Sequence, residues 1–317
     1  MRFIPNEDIA SGVVEAMTNE KILSSIRMTT GDQYFVFAVK TIHEEYVIRM
    51  TDDQHKNKFE SAIYWQDKLL PLGIPLAKFI KTDLNEFYSP FAALLMQRLP
   101  GNDLINVYST LTDLDKKNLA HEIVQIQTAA MTLPEGSRYG IINNYDHIAE
   151  DKSWYDFLIN KLQVFKDIIT KTAIFDASQI SEVISIAKGM EEDLSSVRCS
   201  PFLWDASERN VLVCDGKISG IVDVDDLCFG DPLFVLGLTY TALENEEHDT
   251  VYPDYWAQIL NLDQHAKLRL EFYRLFYVVA FMRKHATITT NCQKTIYNVP
   301  RLENIFKRSL LRIKKLI

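Results

Sequence analysis

Strand-like hydrophobic runs dominate the first hundred residues of this chain, and helical spacing dominates the rest. Residues 24–50 carry runs rich in β-branched and aromatic side chains, Ser24–Thr29, Tyr34–Lys40 and Tyr46–Met50, separated by short turns. That texture predicts three antiparallel strands joined by hairpins, with Gly31 supplying a permissive backbone at the first turn. Two more strands are expected at Leu76–Lys81 and Phe91–Leu99, before Pro100-Gly101 breaks the pattern. Helical spacing flanks the first strands, over 7–23 (Ile9, Val13, Val14, Met17) and over 53–70 (Phe59, Ile63, Leu69, Leu70).

From about residue 102 the spacing is helical almost throughout. Helices are expected at 112–131, 153–171, 176–196, 231–244, 263–285 and 300–315. One stretch, 201–224, interrupts them with two apolar runs about Asp215-Gly216, a strong hairpin turn signal. The expected fold class is α+β and bilobal. A small antiparallel-sheet lobe (1–100) precedes a larger, mainly helical lobe (101–317) with one embedded hairpin.

The hairpin also gathers polar residues. Folding the strands about Asp215-Gly216 sets Asn210, which begins the outgoing strand, beside the end of the returning one, just before Asp223. Asp205 lies on the loop leading in. Three oxygen-bearing side chains therefore converge at one end of a β-ribbon. A magnesium ion takes hard oxygen ligands and keeps several waters, so one carboxylate, one amide oxygen and nucleotide phosphates satisfy it. A further carboxylate nearby can orient an attacking hydroxyl and accept its proton. The spacing D-x-x-x-x-N followed by an Asp is the arrangement that kinases use for phosphoryl transfer, here Asp205, Asn210 and Asp223. The lobe order is also that of kinases, with nucleotide held between the lobes.

The remaining signals mostly exclude. A net charge of −9 argues against a nonspecific nucleic-acid binder, is compatible with a cationic or neutral ligand, and is also a common solubility device. The four cysteines (199, 214, 228, 292) have no C-x-x-C or zinc-like spacing, so free thiols are expected. No apolar run is long enough to span a bilayer and the N-terminus has no signal-peptide core, so a cytoplasmic protein without a membrane partner is expected. P-loop, G-x-S-x-G and H-E-x-x-H motifs are absent from the sequence. The acidic run Glu244–Asp249 reads as a solvated helix end, the basic terminal segment as a docked helix, and Asp231 as the cap of the helix that starts near Pro232. Asp225 and Asp226 read as turn residues, with an extension of the metal site or contact with acceptor amines as the alternative.

Residues 201–232 resemble the signature of aminoglycoside phosphotransferases and their choline, fructosamine and homoserine kinase relatives, within the protein-kinase-like superfamily. That signature is His-Gly-Asp-x-x-x-x-Asn, a hydrophobic run, a turn, Ile-Ile-Asp and a nearby Gly-Asp-Pro. Here it is represented by Asp205, Asn210, Val211–Val213, Ile221-Val222-Asp223 and Gly230-Asp231-Pro232. The resemblance implies a small-molecule phosphotransferase that moves the γ-phosphoryl of ATP or GTP, with Mg2+, to the hydroxyl of a small acceptor. It also implies that Arg49, in YVIRM, stands where a phosphate-binding lysine is usual, and that Glu60 is its acidic partner. In the same way, Met96 would lie behind the adenine while the backbone of Gln97 and Leu99 bonds its edge. Three departures stand out. Leu203-Trp204 replaces His-Gly, where the histidine is ordinarily a structural anchor of the loop. Arginine replaces lysine at 49. The first loop, Thr29–Gln33, holds one glycine only. They motivate an alternative reading, a catalytically impaired kinase-like nucleotide-binding or regulatory protein.

Overall fold

The computed structural model describes residues 4–28, 34–51, 55–147, 149–292 and 296–317, with 289–292 described by backbone alone. The turn expected at Thr29–Gln33, the first residues of the helix expected from 53 and the Cys292 side chain lie outside the described residues.

The chain opens with α1 (Glu7–Thr18), capped by the Asn6 carboxamide, which accepts from the Ile9 N–H at 2.9 Å. The helix stops earlier than its apolar spacing suggests, because Asn19 turns left-handed (φ 60°) and closes it. Strands β1 (Ile22–Met28), β2 (Phe35–Thr41) and β3 (Glu45–Thr51) follow, then α2 (Lys56–Leu69), β4 (Phe79–Asp83) and β5 (Ala92–Gln97). All pairings are antiparallel and the spatial order is β1-β2-β3-β5-β4. Alternation along the strands sends Phe37, Val39, Ile48 and Met50 to one face, where they meet Val13, Val14 and Met17 of α1. Leu94 and Met96 face the other way, onto Phe59 and Ala62 of α2. Covered on both faces, β5 reads as the continuous apolar run Ala92–Met96.

The rest of the chain is mainly helical. A short β6 (Asn102–Asp103) and α3 (Leu104–Val107) lead into α4 (Asp113–Ala130), whose N-terminus is held by a reciprocal Thr112–Asp115 capping box. Then come β7 (Gly140–Ile142), α5 (Trp154–Thr172), α6 (Ala177–Gly189), α7 (Glu191–Ser195) and β8 (Ser200–Phe202). The helix expected over 176–196 is thus two, broken after Gly189. The hairpin β9 (Val211–Cys214) and β10 (Lys217–Ile221) precedes β11 (Leu227–Gly230), and α8 (Leu233–Asn245), α9 (Val251–Leu260), α10 (Gln264–Cys292) and α11 (Val299–Lys314) complete the chain. Helix α9 was not expected from the sequence. Its spacing is short, and Pro253 sits in its first turn, where a missing N–H is harmless.

One large core, running from Trp65 to Ile313, unites the helices. It includes Trp65 and Leu69 from α2, and Ile74 and Leu76 beyond it, so the β-rich region is pinned to the helical one by apolar packing. The bilobal α+β architecture is therefore as the two kinds of spacing predicted. Among the described residues no helix is long and apolar enough to cross a membrane, and Cys199, Cys214 and Cys228 are free thiols.

Candidate active site

The β9–β10 turn is built as its sequence demands. Asp215 and Gly216 both take positive φ (50° and 72°), the type I′ geometry whose twist suits two adjoining strands. The register pairs Cys214 with Lys217 and Val211 with Ile221. One residue further on, the Val222 N–H donates to the Asn210 carbonyl at 2.9 Å, so Asn210 and Asp223 are brought to the same end of the ribbon. The incoming loop is folded back on the ribbon. The Asn210 and Val211 N–H groups both donate to the Ser207 carbonyl, and the Asn210 side-chain amide donates to the Asp205 carbonyl at 2.9 Å. Asp205, Asn210 and Asp223 are thus gathered by short-range backbone bonds. Together with Leu203, Trp204 and Val222, Asp205 and Asp223 line one recess.

The electrostatics of this end are strained. Burial pushes the Asp205 carboxyl up to about 7, with the charges of Asp223 and Glu208 adding to the rise and the Asn210 amide and Lys284 opposing it. Asp223 adopts φ 60°, a conformation Asp tolerates better than most residues. Its side chain remains 48 % exposed. Desolvation in the recess raises its carboxyl above the usual range, Arg49 opposes that shift, and Asp225 and Asp226 reinforce it.

Arg49 reaches this site from β3. Its Nη2 lies 3.0 Å from Asp223 Oδ1, so the expected cation and the expected metal carboxylate are in direct contact. A second carboxylate holds it more firmly. Nη1 donates to Asp225 Oδ1 at 2.8 Å and Nη2 to Asp225 Oδ2 at 2.6 Å, a two-pronged pair that only a planar guanidinium can make. The Tyr34 hydroxyl also donates to Asp225 (2.6 Å), and the Arg49 guanidinium carbon lies 4.2 Å from the centre of the Tyr34 ring. Burial alone would weaken the guanidinium's hold on its proton, but Asp225 and then Asp223 outweigh it.

Glu60 sits on the exposed face of α2 and is not among Arg49's partners. The same helix contributes other groups instead. Lys58 pairs with Asp226 at 2.5 Å, and the single Ser61 hydroxyl proton lies within reach of the Asp225 and Asn143 carbonyls and the Asp226 carboxylate. Asp225 and Asp226 are therefore buried fasteners between the β-rich and helical regions rather than turn residues, and Asp226 also lines the recess beside Asp205 and Asp223.

At the other edge of the cleft, Met96 is buried in β5. The Gln97 N–H donates to the Lys78 carbonyl (2.9 Å), so that donor is already committed within the protein. Leu99 leaves the sheet to lie against Gly220 of β10, where a Cβ would fall 2.1 Å from its Cδ1. Gly101, at φ 101°, then turns the chain so close to the Val213 carbonyl that no side chain fits.

Other residues read from sequence have structural partners. Trp204 is half-buried against the large core. Asp231 caps α8 through the Leu233 N–H, and it also binds Arg269 (2.8 Å) and the Tyr273 hydroxyl (2.8 Å). The acidic run is paired rather than simply solvated. Glu244 binds Arg274 and Arg312, Glu246 binds Arg209, Glu247 binds Arg301 and Asp249 binds Lys116.

Among the described residues no three His, Cys, Asp or Glu side chains form a cage for a metal. A magnesium ion does not require one. It is commonly held by one or two protein oxygens, with phosphates and waters completing the shell. The donor set suits that ion: the Asn210 amide nitrogen faces Asp205, which leaves Oδ1 as its acceptor atom, and Asp223 supplies a carboxylate.

Comparison with known proteins bears on the fold and on the segment that carries these residues. Residues 204–270 match the model of the Phosphotransferase enzyme family. A search of curated proteins finds no match. Among solved structures, a thermostable mutant of aminoglycoside phosphotransferase APH(4)-Ia, in ternary complex with AMP-PNP and hygromycin B, superposes with a TM-score of 0.64 at 14% identity, covering 97% of both chains. A protein assigned as a fructosamine-3-kinase from Haemophilus somnus 129PT gives 0.65 at 14% identity, over 95% of this chain and 96% of that one. A GDP complex of an aminoglycoside 2'-phosphotransferase-IIIa mutant gives 0.65 at 13% identity, over 98% and 97%. The resemblance read from the sequence stands: the chain has the aminoglycoside-phosphotransferase fold, and the family match covers its motif segment.

Proposed function

We propose that this protein is a small-molecule kinase that transfers the γ-phosphoryl group of ATP or GTP to the hydroxyl of a small acceptor. The observation that carries the reading is the meeting of Asp205, Asn210 and Asp223 at one ribbon end, with Arg49 arriving from the opposite side of the cleft. In this reading residues 1–100 form the nucleotide lobe, and 101–317 carry the catalytic loop and the acceptor pocket. Asp205 accepts the acceptor hydroxyl's proton, and its raised affinity for protons suits a general base near neutral pH. Asn210 Oδ1 and the Asp223 carboxylate hold Mg2+, which when bound neutralises phosphate charge. Arg49 steadies the phosphates, Met96 backs the adenine, and the Gln97 carbonyl and the Leu99 backbone meet its edge.

The direct Arg49–Asp223 contact favours a second reading. Cation and carboxylate already neutralise one another, which suits a kinase-like regulatory protein with little affinity for metal-nucleotide. Calorimetry of Mg-ATP and Mg-GTP binding on wild type and Asp223→Ala separates the two. Binding that requires magnesium and is lost in the variant supports the kinase. No binding of either nucleotide rejects the kinase reading in favour of the regulatory one. A cytoplasmic location and a cationic acceptor, such as the hygromycin B bound in the APH(4)-Ia complex, accord with the acidic composition and remain part of the proposal.

A further inference from the structure

Asp205 sits on a loop that no strand supports. Strand β8 pairs with β11 only from Ser200 to Phe202, and the ribbon begins at Val211. Between these points the backbone must be held by other groups. The far end of the loop is held by Asn210 and by the Ile105 N–H, which donates to the Glu208 carbonyl at 2.8 Å. The near end is held by a side chain from α4. The Gln127 Nε2 donates to the Leu203 carbonyl at 2.9 Å, and the Leu203 N–H donates to Gln127 Oε1 at 3.1 Å.

We infer that Gln127 is a positioning residue for Asp205, its carboxamide acting as a one-residue strand partner where β8 ends. A primary amide is the one uncharged side-chain group that offers a donor and an acceptor side by side in the pattern of a peptide unit. Gln127 is 4 % exposed and Leu203 is buried, so water cannot replace the pair. The platform is rigid, since α4 is capped at its start and buries Leu119, Ile123, Ile126 and Ala130 in the large core. Only Trp204 separates the clamped residue from Asp205, so rotation about the Leu203 backbone would swing the carboxylate directly. Trp204 is itself held by packing alone among the described contacts, and the Leu203 carbonyl also accepts from the Ala206 N–H at 3.4 Å, so the Gln127 clamp anchors from α4 a short turn that carries Asp205.

The inference rests on the phosphotransferase reading, and its test separates the two. Full-length wild type and Gln127→Met, which keeps the length and removes both bonds, would be compared in three measurements. These are Mg-ATP binding by calorimetry, Mg-ATP hydrolysis with water as acceptor, and amide exchange over 203–210 by mass spectrometry. The expected result is nucleotide affinity and KM within about twofold of wild type, kcat lower by about tenfold to a hundredfold, and faster exchange confined to 203–210. A merely structural glutamine would lower the melting temperature without that kcat-against-KM split. If Gln127→Met fails to fold, Gln127→Glu retains the acceptor for the Leu203 N–H and is read by the same measurements. Unchanged kcat and unchanged exchange in the folded variant overturn the inference. A protein that binds only Mg-GTP is carried through the same measurements with that nucleotide. Absence of both Mg-ATP and Mg-GTP binding by wild type overturns the phosphotransferase reading instead. In that case exchange over 203–210 decides whether Gln127 holds the loop, faster exchange supporting the clamp and unchanged exchange overturning it.

Discussion

Two parts of the candidate site are assembled in different ways. Asp205, Asn210 and Asp223 lie in one short stretch and are gathered by a type I′ turn, a two-stranded register and three backbone bonds to Ser207 and Asn210. Arg49 and Asp225 are 176 residues apart and meet only because β3 and the segment after β10 are packed across one cleft. In the first case chain connectivity restricts where the side chains can go. In the second, any acid that folding brings near Arg49 can serve as its partner, and the acid that does so is Asp225 rather than the helical Glu60.

That contrast can be broken by substitution. The largest effect is expected at the local cluster, where Asp205→Ala should lower phosphoryl transfer by about 10²- to 10⁴-fold with Mg-nucleotide affinity kept. Steady-state rates and calorimetry on one preparation check both halves, and near-normal turnover would remove Asp205 from its role. Next comes the long-range cluster. Asp225→Ala leaves Arg49 buried without its main partner and should destabilise the fold by about 3–5 kcal/mol, read from urea denaturation. A loss near zero would mean that the pair contributes nothing net.

Partner choice itself is sharpened by a double-mutant cycle. Arg49→Lys with Asp225→Asn should show a coupling of about 0.5–3 kcal/mol, because lysine cannot reproduce the two-pronged contact. The parallel cycle with Glu60→Gln should be additive within about 0.5 kcal/mol. Strong coupling to Glu60 would restore the partner implied by resemblance. The smallest effect is that of Glu60→Gln alone, expected within about 0.5 kcal/mol of wild type in stability.

Much of the site was legible because its signals are local. Asp215-Gly216 between β-branched runs specifies a tight hairpin, and once the hairpin exists Asn210 and Asp223 have little freedom. The strands were legible for a similar reason, since β-branched and aromatic runs bounded by short turns favour antiparallel hairpins. The errors have specific causes. Helix α1 ends at Thr18 because Asn19 adopts a left-handed backbone, a choice that apolar spacing does not record. Helix α9 is short, and its Pro253 resembles a breaker unless its first-turn position is known. The acidic run gave no sign of its partners, because Arg274, Arg312, Arg209 and Arg301 come from other parts of the chain. The spacing D-V-D-D likewise could not assign Asp223 and Asp226 to the recess and Asp225 to its pairing with Arg49.

By itself, the sequence determined the bilobal α+β plan and the convergence of three oxygen-bearing side chains, because periodicity and a two-residue turn act over distances the backbone controls. The partner of Arg49, the fastening of Asp226 by Lys58 and Ser61, and the grip of Gln127 on Leu203 were decided only by tertiary structure. Each joins groups far apart in the chain. A buried charge or backbone group must find some partner, but nothing local dictates which one packing will deliver.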